Sequence, residues 1–234
     1  ARRLAADGWR LLLVARREDR LRALTDSLPD ASYLACDLTG DDAPGVVKAA
    51  VEERLGGLTL LVNNAGAAWR ANFGDDDGGW ENVQRTMRLN FDAVVRLTEA
   101  LLPLLRQSAP SSIVNVGSVS GRVALAKTGA YSASKFAIAG WTDAIRFEEA
   151  GHGVHVGLVL PGFTATEGFP QSDLRAKAAT RWVVSTPEKV AEAIVEAGPG
   201  GKAERTVPRG YAAFSLLRAV APGLVRRAGA NMRR

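Results

Sequence analysis

Short apolar runs of strand length alternate along the chain with longer stretches in which apolar residues recur every three or four positions. Trp9–Ala15 (WRLLLVA) lies between Gly8 and a charged stretch, too short for a helix, and is predicted as a buried parallel strand. Ser32–Cys36, Leu58–Val62, Ser112–Val116 and Val154–Leu160 have the same character, and Arg205–Val207 is a short last candidate. Between them, Glu18–Leu28 carries leucines at 21, 24 and 28 before Pro29 stops the helix. Further helices are predicted over Ala43–Leu55, Trp80–Arg106, Ala130–Ala150 and Glu188–Ala197, the last opened by Pro187. Ala1–Asp7 reads as the last turns of a helix closed by Gly8. Alternation of strand and helix throughout predicts an α/β fold, a doubly wound parallel sheet with helices on both faces. Without repeats or linkers, residues 1–200 form one domain, and 201–234, including the amphipathic stretch Tyr211–Arg227, are a basic extension of it.

Two segments break the pattern. Trp69–Gly79 is polar and glycine-rich, and its run Asp75-Asp76-Asp77 reads as a solvated loop rather than a metal ligand set. Phe163–Thr186 has no clear period and is expected to lie beside a substrate.

Composition narrows the class of protein. With 47% hydrophobic and 24% charged residues, the chain can build a sizeable core. A single cysteine, Cys36, cannot form an intrachain disulfide, which suggests a reducing, cytoplasmic setting. No apolar run reaches the roughly 18 residues needed to span a bilayer. The net charge of +5 is unevenly placed: from Lys202 onward there are eight basic residues against one acid, Glu204. The chain has no aromatic-interleaved basic platform and no recognisable nucleic-acid module, so no nucleic-acid partner is expected. The tail could cover a pocket, pack on another subunit or associate weakly with a membrane surface. His152 and His155 flank a predicted strand and are expected to be structural.

The chemistry concentrates at strand ends. Arg16-Arg17, Asp37, Asn63–Gly66, Ser118 and Pro161-Gly162 each follow a predicted strand, and parallel α/β sheets bind ligands at the carboxyl ends of their strands. Tyr131 and Lys135 lie four residues apart on a predicted helix, stacked on one face. A phenol beside an ammonium is an acid/base pair in which the positive charge is expected to draw the phenol pKa toward neutrality.

In combination, Asp37, Asn63-Asn64-Ala65-Gly66, Asn90, Ser118 thirteen residues before Tyr131, Lys135 four after it, and Pro161-Gly162 with Thr166 resemble the short-chain dehydrogenase/reductase family in its standard-length branch. The resemblance runs from Ala1 to about Ala197 and implies a Rossmann-like fold and an NAD(P)-dependent oxidoreductase acting on a small-molecule carbonyl or alcohol. Tyr131 would be the general acid or base, and Lys135 would lower its pKa and bind the nicotinamide ribose. Ser118 would hold the substrate oxygen, and Asn90 would support a water linking Lys135 to solvent. Asp37 would bind adenine, Asn63, Ala65 and Gly66 together with Pro161 and Gly162 would line the cofactor, and Thr166 would reach its carboxamide or pyrophosphate. Where an acidic residue would bind an adenosine ribose, this chain has Arg16 and Arg17, whose guanidinium groups suit a 2′-phosphate; NADP(H) is favoured over NAD(H).

The resemblance also implies a departure. The family's first strand and glycine-rich phosphate turn should precede Ala1, with that strand lying between Trp9–Ala15 and Leu58–Val62. The chain is accordingly expected to be N-terminally truncated, and as it stands to bind cofactor weakly or fold poorly. A homodimer or homotetramer is implied by analogy, through the helices around Asn90 and Tyr131. A non-catalytic dinucleotide-binding or scaffold protein that has lost its phosphate loop is the alternative; a sugar-nucleotide epimerase would need a longer chain after Pro161. Leu125, Phe163, Phe169 and Trp182 suggest a moderately apolar substrate.

Overall fold

A computed structural model describes residues 1–164 and 184–231. Thr166, Phe169 and Trp182 lie outside the described residues. The chain opens with helix α1 (Arg2–Ala6), strand β1 (Leu11–Ala15), α2 (Glu18–Thr25), β2 (Ala31–Ala35), α3 (Ala43–Leu55) and β3 (Leu60–Asn63). It continues through α4 (Gly79–Met87), a π-helical turn (Arg88–Asp92), α5 (Ala93–Gln107), β4 (Ser111–Val116), α6 (Gly129–Ala150) and β5 (Val154–Pro161). A small parallel pair, β6 (Phe163–Thr164) with β7 (Val184–Ser185), precedes α7 (Pro187–Ala197), β8 (Glu204–Val207), α8 (Gly210–Val220) and α9 (Pro222–Asn231). The ends agree with the sequence reading to within a few residues, as expected where helices fray and strands taper.

All strand pairings are parallel. The long ladder β3-β4-β5-β8 carries the core, whose residues Ile113, Val114, Val156, Leu158 and Leu160 are fully buried. Leu97, Leu101 and Leu105 of α5 and Ile145 of α6 pack with Val47 and Val51 of α3 on one core cluster. A separate cluster joins Val114 and Val159 to Ala193 and Ala197 of α7. The Arg106 guanidinium pins α5 to α6 by a paired hydrogen bond to the Glu149 carboxylate, 2.8 and 2.7 Å, which holds that buried carboxyl below the usual range.

Strands β1 and β2 form a separate two-stranded ladder. Both β1 and β3 line one cavity of about 1460 Å³, and no backbone ladder joins them. Leu21 of α2, Val47 and Val51 of α3, Leu97 and Leu101 of α5 and Ile194 of α7 line the same space. It is bounded by strand edges and helices. Facing this cavity, β1, predicted as a buried strand, is mostly half-buried.

One helix departs from expectation. Trp80–Arg106 is divided by the π-helical turn centred on Asn90. A π turn widens the helix by one residue, and such turns recur where a side chain must be aimed at a site.

Candidate active site

The cavity extends from the strand edges to the carboxyl ends of the sheet, where Ser118, Tyr131, Lys135, Pro161, Gly162 and Thr164 line it. Ser118 follows β4 and caps a short 3₁₀ turn, Val119–Gly121, its Oγ accepting from the Ser120 amide at 3.1 Å. The same Oγ lies 3.4 Å from the Pro161 carbonyl and is hydrogen-bonded to the Tyr131 phenol. The 3₁₀ turn rests directly on α6: a Cβ added at Gly121 would come to 2.5 Å from the Lys135 carbonyl oxygen. Glycine at 121 therefore sets the distance between the strand that carries Ser118 and the helix that carries Tyr131 and Lys135.

Lys135 is only 5% exposed, and its Nζ donates to the Val116 carbonyl at 2.8 Å. Burial lowers its pKa from 10.5 to about 8, leaving the ammonium charged at neutral pH but easily discharged. The expectation for Tyr131 is corrected here. Its pKa is raised, because burial of the phenol outweighs the hydrogen bond from Ser118 and the attraction of Arg70. The Lys135 Nζ sits 5.8 Å from the centre of the Tyr131 ring and is turned toward Val116, so it does not draw the phenol toward neutrality.

Asn90 is 1% exposed and saturated by protein groups. Its Oδ1 accepts from the Ala67 amide at 2.9 Å, and its Nδ2 donates to the Ala67 carbonyl at 2.9 Å and the Ser134 hydroxyl at 3.1 Å. The side chain thus clamps the loop after β3 to α6. Ser134, which the sequence reading passed over, completes the link by donating to the Tyr131 carbonyl at 2.8 Å. Gly66 fits against this clamp: a Cβ there would lie 3.1 Å from Asn90 Oδ1 and 3.6 Å from Lys135 Nζ. The wall beside the ammonium stays open because residue 66 has no side chain.

Asn63 is a second amide held by protein groups. It borders the cavity, but its amide is buried and donates to Thr98 Oγ1 at 3.0 Å and Asn115 Oδ1 at 2.9 Å. Asn115 in turn donates to Thr142 at 2.9 Å, so a buried polar chain crosses from α5 through β3 and β4 to α6. The Asn63 side chain thereby fixes the sheet against its helices, while Asn64, Ala65, Gly66, Ala67 and Ala68 of the loop that follows line the cavity.

At the other end of the cavity stand Arg16, Arg17 and Asp37. Both arginines are exposed, and among the described residues neither guanidinium has a hydrogen-bond or ion-pair partner. Asp37 Oδ1 accepts from the Thr39 amide at 3.0 Å and its hydroxyl at 2.8 Å, which together with nearby Arg16 and Arg88 hold the carboxylate below its usual range. Donors suited to phosphate and adenosine groups therefore lie at one end, and the Tyr131/Lys135 pair at the other.

Two features lay beyond the sequence reading. Tyr211, at the start of α8, packs its ring against Gly162, where any Cβ would overlap it, and accepts a hydrogen bond from the Phe163 backbone. Thr164 also lines the cavity. His155, as expected, is structural, its ring nitrogen 2.9 Å from the Ala197 carbonyl. Among the described residues no group of three metal-binding side chains occurs, and Asp75 serves its own loop by accepting from Asn72.

Comparison with known proteins agrees with this arrangement. The model of the short chain dehydrogenase family matches residues 1–176. The ketoacyl reductase HetN of Nostoc sp. is 30% identical over 201 residues, covering 84% of this chain and 69% of the relative. A fatty acyl-CoA reductase of Mycobacterium tuberculosis is 32% identical over 191 residues, 75% of this chain and 64% of the relative. A 3-ketodihydrosphingosine reductase of Bos taurus is 30% identical over 228 residues, 91% of this chain and 68% of the relative. The chain thus spans about two thirds of the length of these relatives. A crystal structure of a short-chain dehydrogenase from Streptomyces avermitilis superposes with a TM-score of 0.79 at 27% identity, covering 97% of this chain and 89% of that one. No helix among the described residues is long and apolar enough to cross a membrane. With the strand-end loops, the Ser118–Tyr131–Lys135 cluster and the family match in agreement, the chain belongs to the short-chain dehydrogenases, oxidoreductases of Rossmann-like fold that work with a nicotinamide dinucleotide.

Proposed function

We propose that the protein is an NADP(H)-dependent reductase that turns a ketone or aldehyde carried on an apolar chain into the corresponding alcohol, with Tyr131 as proton donor. The observation that carries this reading is the Ser118 hydroxyl hydrogen-bonded to a buried Tyr131 phenol, with the Lys135 ammonium on the same cavity wall. Bound NADPH supplies the hydride that reaches the carbonyl carbon. The chain's own residues handle the oxygen. Ser118 and Tyr131 donate hydrogen bonds to it, stabilising the negative charge that develops there, and Tyr131 Oη gives up its proton as the C–O⁻ becomes an alcohol. A phenol pKa raised by burial keeps that proton in place at neutral pH, the form a proton donor needs.

Lys135 would then serve two purposes: binding the nicotinamide ribose and returning a proton to the phenolate through its readily discharged ammonium. Arg16 and Arg17 would hold the 2′-phosphate, Asp37 the adenine, and Ala65, Gly66, Pro161 and Gly162 the nicotinamide half. The apolar substrate fits the names of the relatives, which are reductases of ketoacyl, fatty acyl and ketosphingoid compounds. Assembly as a homodimer or homotetramer is part of the same reading. Kinetics with NADPH and NADH test the cofactor assignment. Replacing both Arg16 and Arg17 with Ala is expected to lower kcat/KM for NADPH about 10- to 100-fold while leaving NADH little changed, the range for lost charge-assisted hydrogen bonds. An unchanged ratio would remove the arginines from cofactor choice.

A further inference from the structure

Helix α8 is built inside out. Tyr211, Ser215 and Arg218, spaced four and three apart, form its half-buried face. The opposite face carries Ala213, Leu216, Leu217 and Val220, the three- and four-residue spacing of one continuous stripe, and all four are exposed. Leu216 is 64% and Val220 72% exposed, and the stripe is extended by Leu224 of α9, 59% exposed. A helix that turns its polar residues inward and an aliphatic stripe outward leaves its largest apolar face to be covered by something else.

The charge around the stripe identifies that partner. From Lys202 onward there are eight lysines and arginines and one acid. That acid, Glu204, is already paired with Arg122 at 2.7 Å. Arg209, just before α8, and Arg227, on α9, are exposed and flank the stripe. A protein partner's rim would ordinarily be met by both signs of charge; an aliphatic stripe bordered by a single positive sign matches a bilayer surface of anionic lipid. Two short helices with no membrane-spanning length suit a position in the interface plane, with the aliphatic side chains among the acyl chains and the arginines at headgroup level.

We propose that α8 and α9 dock the protein on an anionic lipid surface through Leu216, Leu217, Val220 and Leu224, with Arg209 and Arg227 at the headgroups. Tyr211, at the start of the same helix, packs on Gly162 at the wall of the active-site cavity, so docking sets that cavity beside the lipid. The docking does not depend on the reaction proposed above, and its test reads binding alone.

The experiment is co-sedimentation of the full chain with vesicles of phosphatidylcholine alone and with one third phosphatidylglycerol, at low and high salt. The wild type is expected to bind the anionic vesicles, and to lose most of that binding in high salt. A triple variant, Leu216→Gln, Leu217→Gln and Val220→Gln, is expected to reduce partition at least tenfold with unchanged circular dichroism. Arg209→Gln with Arg227→Gln is expected to reduce it by up to about thirtyfold, each exposed arginine contributing about a fivefold factor. Equal binding by wild type and the stripe variant, or no binding by the wild type, overturns the proposal. So does equal binding to neutral and anionic vesicles. A dimer in sedimentation velocity that the stripe variant disperses, without vesicle binding, assigns the face to a second copy of the chain instead.

Discussion

Lys135 carries a cost that the fold would be more stable without. Its ammonium is buried, with one hydrogen bond to a backbone carbonyl, and its pKa falls from 10.5 to about 8. At 1.36 kcal/mol for each tenfold change, that fall corresponds to about 3 kcal/mol of destabilisation wherever the group is charged in both folded and unfolded chains. Lys135→Met keeps most of the length of the side chain and removes the charge, but leaves the Val116 carbonyl without its donor, a loss of about 1–2 kcal/mol. The net expectation is a gain of about 1–2 kcal/mol at pH 7. The sign with pH follows from proton counting. Below about pH 8 the lysine is charged in both states, and the cost is complete. Between 8 and 10.5 the unfolded chain holds more protons than the folded one, so the wild type recovers stability as pH rises; above 10.5 the charge cost is gone. Urea unfolding of wild type and Lys135→Met at pH 7, 9 and 10 measures this. The stability advantage of the variant should shrink with rising pH and reverse once only the lost hydrogen bond remains, while reductase activity is lost at every pH. A variant less stable at pH 7, or a difference that does not move with pH, would refute a desolvated ammonium at this position.

Gly121→Ala should damage catalysis without touching a reacting group, because its Cβ falls about 0.9 Å inside ordinary contact with the Lys135 carbonyl. Relief pushes the Ser118 turn from α6, for which a stability loss of about 1–3 kcal/mol and a fall in kcat of up to about 100-fold are expected; steady-state kinetics and urea melts check both. Gly140→Ala, in the middle of the same helix with open space around its Cβ, is the control, and should stabilise by about 0.5–1 kcal/mol with kinetics unchanged. Hydrogen exchange should find the amides of β1 at least tenfold less protected than those of β4 and β5, since β1 belongs to a two-stranded ladder and faces the cavity that separates it from β3.

The strands and helices were legible because their periods differ and because parallel strands, buried on both faces, read as continuous apolar runs such as Val154–Leu160. Much of the site was legible for the same topological reason: Arg16, Arg17, Asp37, Asn63–Gly66, Ser118, Pro161 and Gly162 stood at the ends of predicted strands, and Tyr131 and Lys135 one helical turn apart. What escaped were properties of three-dimensional crowding. The π turn at Asn90 has no signature in sequence, and neither does the saturation of its amide by Ala67 and Ser134. Spacing placed Lys135 on the face of Tyr131 but could not show that its ammonium turns to Val116, which is why desolvation rather than attraction governs the phenol. Its strand-end position brought Asn63 to the cavity, but did not reveal that its amide also bonds to Asn115 and Thr98. Tyr211 sits about 50 residues from Gly162 in sequence, and only the pairing of β8 with β5 brings them together.

Removing one oxygen atom tests the central claim most directly. Tyr131→Phe keeps the ring that fills the wall of the cavity and deletes the proton donor. NADPH oxidation against a panel of ketones and aldehydes on apolar chains is the measurement, with cofactor binding and the urea midpoint as controls. The account predicts a fall in kcat/KM of about 10²- to 10⁴-fold, the usual contribution of a positioned acid, with folding and NADPH affinity retained. A variant that reduces the same substrates at the wild-type rate would contradict it, and a wild type that consumes no NADPH with any of them would leave the fold as a scaffold rather than an enzyme.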